Sequence, residues 1–364
     1  MANFRIVLAP GDGIGPEVTA EAVKVLHIVA RTFGHRFDFE EECVGGVAID
    51  KYGVALKNDT LARALASDAV LFGAVGDPKF DDPSLSVRPE QAILGLRSGL
   101  GLFANLRPVR VFDSVIGESP LKPEIVRGTD FLVIRELTGG IYFGSPKRRW
   151  VSGEGREAVD TMSYKESEIQ RILKLGFELA RTRKKIVTCV DKANILETSR
   201  LWREISFETA AEFPDVTLEH LLVDAAAMHI INNPSRFDVI VTSNMFGDIL
   251  TDEAAVLAGS LGMMPSASLA RLDPQGRGLG LYEPIHGSAP DIAGRGFANP
   301  IGMILSTAMM LRLSLGLGKE ANAVERAVQE TLNAGYRTAD IASNNTRPVS
   351  TAKMGDTIAE RIEP

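Results

Sequence analysis

Cysteine is almost absent. Cys43 and Cys189 are the only two in 364 residues, and they form no Cys-x-x-Cys pair. That excludes a disulfide framework and a thiolate zinc site, and it points to a reducing compartment, read here as the cytoplasm. Long apolar runs are also missing. Uncharged stretches are broken by Gly, Ser and Pro and fall short of the roughly 18 residues of a membrane span. There is no excess of positive charge: the net charge is −7 and the basic residues are dispersed, which excludes nucleic acid as the expected partner. The N-terminal apolar run is too short for a signal peptide. No repeat or low-complexity tract is visible. What remains is a chain with ordinary apolar content, long enough for two domains or one large α/β unit.

The most informative stretch runs from Ser243 to Ala254. Asp248 and Asp252 lie four residues apart, so a helix stacks their carboxylates on one face. Like charges placed this way repel unless a cation sits between them. Phe237 to Thr242 reads as a buried strand, and Gly247 is expected to turn the chain into the helix. A strand ending in an acidic helix suits Mg²⁺, which takes one or two carboxylates and leaves its other positions to water and substrate. A plain solvated acidic face is the alternative.

Near the N-terminus, a strand through Phe4–Leu8 meets Pro10-Gly11-Asp12-Gly13-Ile14-Gly15-Pro16-Glu17. The glycines are spaced G-x-G-x-G, which does not match the dinucleotide pattern G-x-G-x-x-G. The turn is therefore either a ligand cradle of another kind or only a turn. Arg97, Arg107 and Arg135 sit beside apolar runs or strand ends. Three planar guanidinium forks suit a substrate with two carboxylates, and separate structural ion pairs are the alternative. Gly139-Gly140 before Tyr142 suits a hairpin or a close approach, and the phenol can exchange a proton. Residues 146–160 read as an exposed hairpin or arm. A strand through Ile186–Val190 leads to Lys192, and a strand from Leu218 leads to Asp224. Leu279 to Gly294 has no helix or strand period, and an apolar helix is expected over Ile301–Leu313. Such a long irregular loop is usually functional, here a seat for an adenosine.

These segments together resemble the decarboxylating β-hydroxyacid dehydrogenases, the family of isocitrate and isopropylmalate dehydrogenases. The resemblance covers nearly the whole chain. It rests on Gly11–Glu17, Asn105–Pro108, Arg135–Gly144, Asp191–Asn194, Asn244–Glu253 and His286–Gly294. It implies a two-domain αβα fold that is not Rossmann. One discontinuous cofactor-binding domain would span 1–102 and 265–364, and a dimerisation and metal domain would span 103–264, with an arm at about 144–162.

The resemblance also implies roles. Arg97, Arg107 and Arg135 match the arginines that clamp malate carboxylates. Tyr142 and Lys192 match the catalytic acid–base pair. Asp224, Asp248 and Asp252 match the ligands of Mg²⁺ or Mn²⁺, with Asp224 also facing substrate. Lys192 and Asp224 would come from the second subunit of a homodimer. Glu283, His286, Gly287, Ser288, Ala289, Pro290, Asp291, Ile292 and Asn299 match the cofactor site. Asp291 can accept both ribose hydroxyls and repel a 2′-phosphate, so NAD is expected over NADP. Ile93, Leu94 and Ile195 match the substrate pocket. An aliphatic trio leaves a third carboxylate unpaired at several kcal/mol, whereas an isopropyl group gains about 2 kcal/mol by burial. The implied activity is NAD-dependent oxidative decarboxylation of (2R,3S)-3-isopropylmalate to 4-methyl-2-oxopentanoate and CO₂, in leucine biosynthesis. Within the family the alternative is a D-malate, tartrate or homoisocitrate dehydrogenase. A Mg²⁺ phosphohydrolase lacks its phosphate cradle here. A silent regulatory subunit would lack the tyrosine, lysine or aspartates, and all are present. Asp77 and Phe80 depart from the pattern, standing where a glycine and a tryptophan are common.

Overall fold

A computed structural model describes residues 2–82, 85–270, 277–343 and 348–364. The chain divides into two compact α/β units. The first comprises Met1–Leu102, Phe112–Pro120 and Ala258–Pro364; the second comprises Phe103–Val111 and Leu121–Leu257. The first unit therefore takes in 112–120 and begins its C-terminal segment at Ala258, where 265 was expected.

In the first unit the strands run in the order Arg36–Glu41, Asn3–Gly11, Ala69–Ala74, Gly280–Pro284, Pro265–Leu269. All neighbours are parallel except the last pair, which is antiparallel. This is not the 3-2-1-4-5-6 order of a dinucleotide-binding Rossmann sheet. Side chains alternate across a strand, so Val7 and Ala9 face one layer and Ile6 and Leu8 the other. Val7, Ala9, Val70 and Phe72 pack with Ala64, Ala92 and Leu96 from the helices Asn58–Leu65 and Gln91–Gly99. Helices Gly15–Phe33 and Ile301–Leu313 pack together and both contact strand Ala69–Ala74. Helix Ile301–Leu313 is buried nearly all round, which is why its sequence is apolar nearly all round. Strand Ala69–Ala74 is buried along its whole length, so its sequence is a continuous run and not an alternating one.

In the second unit the order is Ala104–Arg110, Asp130–Glu136, Val239–Thr242, Ile186–Asp191, Thr217–Leu222. The first pair is antiparallel and the rest are parallel. Helix Glu166–Arg181 lays Ile169, Ile172, Leu173, Phe177 and Ala180 inward at helical spacing. Its Glu168 carboxylate accepts the Lys165 N–H at 2.9 Å, closing the first turn. Strands Lys147–Ser152 and Gly155–Asp160 form the expected exposed hairpin, with Val151 77% exposed. Among the described residues no helix is long and apolar enough to cross a membrane.

Candidate active site

The second unit gathers acid, arginine and phenol. Arg107 lies on strand Ala104–Arg110 and Arg135 on strand Asp130–Glu136; both are buried. These antiparallel neighbours aim at helix Asn244–Ala255. Arg107 donates to the Thr251 hydroxyl at 2.6 Å and lies 3.4 Å from Asp252 Oδ1 and 3.8 Å from Asp248 Oδ1. Arg135 Nη1 pairs with Asp248. The helix carrying both aspartates starts at Asn244, not after Gly247. Gly247 sits inside it, and an added Cβ would lie 2.7 Å from the Arg135 Cβ. The glycine is needed for that close approach, which a local reading mistakes for a turn.

Tyr142 completes the cluster. Its hydroxyl donates to Asp248 Oδ2 at 3.0 Å. Burial first, and then the Asp248 charge, raise the phenol above its ordinary range. The turn that presents it is anchored by Glu136. That buried carboxylate accepts the N–H groups of Thr138 and Gly139, each at 2.8 Å. Burial raises its pKa, and these bonds oppose the rise. Gly139 and Gly140 lie against the Tyr164 side chain, where a Cβ on either would come within 2.6 Å. The close approach expected of the glycine pair is the one that forms.

Lys192 and Asp224 form a separate pair. Lys192 follows strand Ile186–Asp191, and Asp224 lies in the first turn of helix Val223–Asn232. Lys192 Nζ is 2.5 Å from Asp224 Oδ1, and that hydrogen bond lowers the Asp224 pKa. The preceding Asp191 is buried and pairs with Arg203 at 2.9 Å, which fixes the strand end from which Lys192 projects. The structure therefore does not bring Asp224 together with Asp248 and Asp252 within one chain. Among the described residues no group of three His, Cys, Asp or Glu is placed to hold a metal. Asp248 and Asp252 alone supply two hard carboxylates, the number Mg²⁺ or Mn²⁺ commonly takes from protein.

Ile195, three residues after Lys192, also lies in the second unit and is exposed; the first unit holds the other residues. Arg97 Nη2 donates to Glu283 Oε1 at 2.8 Å, while Arg97 Nε is buried without a partner. Ile93 lies on the same helix, and Leu94 is 49% exposed. Residues 286–299 are irregular, as expected. His286 Nδ1 contacts the Gly287 carbonyl at 2.9 Å, and its Nε2 is buried with no partner. Burial lowers the His286 pKa. Ala289 holds a left-handed φ of 39°, a strained conformation of the kind found at ligand sites. Asp291 is exposed. An orphaned imidazole nitrogen beside open space at Gly287 fits a bound cofactor.

The N-terminal glycine turn resolves as a scaffold for this loop. Gly13 abuts the Ser288 backbone, and the Ile14 N–H donates to the Ser288 carbonyl at 2.8 Å. Glu17 accepts the N–H groups of Gly294 at 2.5 Å and Gly296 at 3.1 Å. Asp12, 4% exposed, accepts the N–H groups of Gly46, Val47 and Gly76 at 2.8, 2.9 and 2.9 Å. The turn is filled by its own chain and leaves no phosphate cradle. Asp77 caps the short helical turn Pro78–Phe80, its carboxylate accepting the Lys79 N–H at 3.0 Å.

Comparison with known proteins agrees with this architecture. A profile of the isocitrate/isopropylmalate dehydrogenase family matches residues 5–358. The chain belongs to that family. A protein of Dehalococcoides mccartyi named 3-isopropylmalate dehydrogenase is 58% identical over 362 residues, covering 99% of each chain. A relative of the same name from Bacillus subtilis is 57% identical over 339 residues, covering 93% of this chain and 92% of the other. Among solved structures, an isocitrate dehydrogenase from Methylococcus capsulatus superposes with a TM-score of 0.86 at 35% identity, covering 99% of this chain and 100% of that one.

Three side chains of this family member escape a reading by motif. Glu17, Glu136 and Asn244 lie inside the matched segments, and each hydrogen-bonds backbone groups of the site loops. The available signal was a polar side chain beside glycines or a functional residue in the same motif.

Proposed function

We propose that the chain oxidises and decarboxylates 3-isopropylmalate to 4-methyl-2-oxopentanoate and CO₂ with NAD and a divalent cation. One observation carries this reading: two buried arginine forks, the Asp248–Asp252 pair and the Tyr142 hydroxyl converge in one unit. The names of the relatives support it.

Arg97, Arg107 and Arg135 would hold the two substrate carboxylates as bidentate partners. Lys192 would take the proton of the C2 hydroxyl. NAD supplies the hydride acceptor, and a cation held by Asp248 and Asp252, with Asp224 of a second copy, supplies positive charge for the C2 oxygen. Loss of the C2 hydride leaves a β-keto acid. Its C3–carboxylate bond then breaks, CO₂ departs, and the electron pair forms an enolate. Tyr142, kept protonated by burial and by Asp248, would give C3 its proton.

For the substrate side chain, Leu94 and Ile195 offer apolar surface, the latter 65% exposed. An isopropyl group covering such residues gains about 2 kcal/mol, whereas an unpaired carboxylate loses several. For the cofactor, the Asp291 charge disfavours a 2′-phosphate. A homodimer suits the apolar side chains on helices Val223–Asn232 and Asn244–Ala255, where Met228 is 65% and Ile249 58% exposed. Its place would be the cytoplasm, in keeping with two free cysteines.

The test is NAD(P)H formation at 340 nm with 3-isopropylmalate, isocitrate, homoisocitrate, D-malate and tartrate, each with NAD or NADP and with Mg²⁺ or EDTA. Turnover confined to 3-isopropylmalate, NAD and metal is expected. Faster turnover of D-malate or tartrate would overturn the substrate assignment, and silence from a folded dimer would overturn the activity.

A further inference from the structure

We propose that Asn244 is a positioning residue that holds the Arg135 fork and the Tyr142 turn in one register. The proposal rests on the dehydrogenase reading above. Asn244 opens helix Asn244–Ala255 and is 1% exposed. Each polar group of the residue has a different job. Its Oδ1 accepts from Arg135 Nε at 2.9 Å. Its Nδ2 donates to the Gly139 carbonyl at 3.3 Å. Its backbone N–H donates to the Tyr164 hydroxyl at 2.8 Å, and the Tyr164 side chain is what Gly139 and Gly140 pack against.

The chemistry of an amide suits this place. A guanidinium held at Nε cannot swing about its last rotatable bond, so its Nη edge keeps one direction. A neutral oxygen does this without adding a second carboxylate to the one that Arg135 already meets at Asp248. The amide nitrogen simultaneously pins Gly139, three residues before Tyr142. The other side of that turn is pinned by Glu136 on the Gly139 N–H. Both sides of one peptide segment are thus tied, one to the strand carrying Arg135 and one to the helix carrying Asp248. An aspartate is nearly isosteric here but reverses part of the pattern. It still accepts from Arg135, yet it sets a carboxylate oxygen against the Gly139 carbonyl and puts a second negative charge beside Asp248 on the same guanidinium.

The experiment compares wild type, Asn244→Ala and Asn244→Asp, each with and without Tyr142→Phe. Titration calorimetry with 3-isopropylmalate and Mg²⁺, without NAD, reads substrate affinity; steady-state kinetics reads kcat and KM. Asn244→Ala is expected to lose about 10- to 100-fold in kcat/KM, the effect of one missing bond to a charged group and one to a carbonyl. Because the turn is no longer held, Tyr142→Phe is expected to cost at least about fivefold less on either Asn244 variant than on wild type. A residue with a merely structural role would leave that cost unchanged. If Asn244→Ala does not fold, Asn244→Asp carries the same comparison. Wild-type kcat/KM in the variants, or an undiminished Tyr142→Phe effect, would overturn the proposal. Inactive wild-type enzyme would overturn the dehydrogenase reading and this assignment with it.

Discussion

Asp12→Ala removes the acceptor for three backbone N–H groups at once. Asp12 Oδ2 serves Gly46 and Gly76, and Oδ1 serves Val47. A hydrogen bond to a charged group contributes about 1.5–3 kcal/mol, so three of them set a ceiling of about 5–9 kcal/mol. Water entering the space left by the side chain recovers part of this, because the Val47 and Gly76 bonds are only partly buried. A loss of about 3–5 kcal/mol is the expected result, near the top of the range for single substitutions. For a unit of roughly 200 residues, each kcal/mol moves the melting temperature by about 2–4 °C, so the transition should fall by about 10 °C. Asp12→Asn keeps one acceptor oxygen and turns an NH₂ toward the remaining amide. It should lie roughly midway. Calorimetric melts of the three proteins at one pH and protein concentration provide the measurement. An Asp12→Ala melt within about 2 °C of wild type would refute the reasoning, since three orphaned amides cannot be that cheap.

Three further outcomes are expected. Glu17→Ala frees the Gly294 and Gly296 amides and should weaken NAD binding about 10-fold by titration calorimetry; an unchanged affinity would separate that loop from the cofactor. Burial holds the folded-state pKa of His286 below its ordinary value near 6.5, so the unfolded chain takes up the proton first on acidification. The stability from keeping His286 neutral is present above pH 6.5 and is lost as pH falls toward the folded value. The melting advantage of wild type over His286→Asn should therefore shrink between pH 8 and pH 5.5, and parallel curves would refute this. Met228→Glu with Ile249→Glu places charge on exposed apolar positions; light scattering should show monomers, with activity lost, whereas an active dimer would remove that surface from the interface.

The sequence was most legible where one physical cause acts alone. Ala69–Ala74 and Val239–Thr242 are buried along their lengths, and their continuous apolar runs announce this. Helix Ile301–Leu313 was equally plain. Glycine was harder, because one residue type answers several demands. Gly247 is small to admit Arg135, not to turn the chain, and Gly13 is small to admit Ser288. Neither neighbour is near in sequence. The aspartates pose the same difficulty. Asp248 and Asp252 declare their shared face by spacing, but the pairing of Asp224 with Lys192 depends on adjacent strands placing a loop beside a helix start. Asn244 reads locally as a helix-start residue, and only the folded chain reveals Arg135 and Gly139 on either side of its amide.

The first unit is assembled from chain segments separated by the whole of the second. Strand Gly280–Pro284 pairs with strand Ala69–Ala74, roughly two hundred residues earlier, so the three N-terminal strands emerge from the ribosome able to pair with one another but with one edge of Ala69–Ala74 still uncovered. At about 5–20 residues per second that wait lasts on the order of ten seconds or more. The second unit is a nearly continuous insertion and can be complete before the first. Its birth order is thus the reverse of its reading order, and an early stop beyond Leu257 would release one finished body carrying one unfinished, sticky sheet.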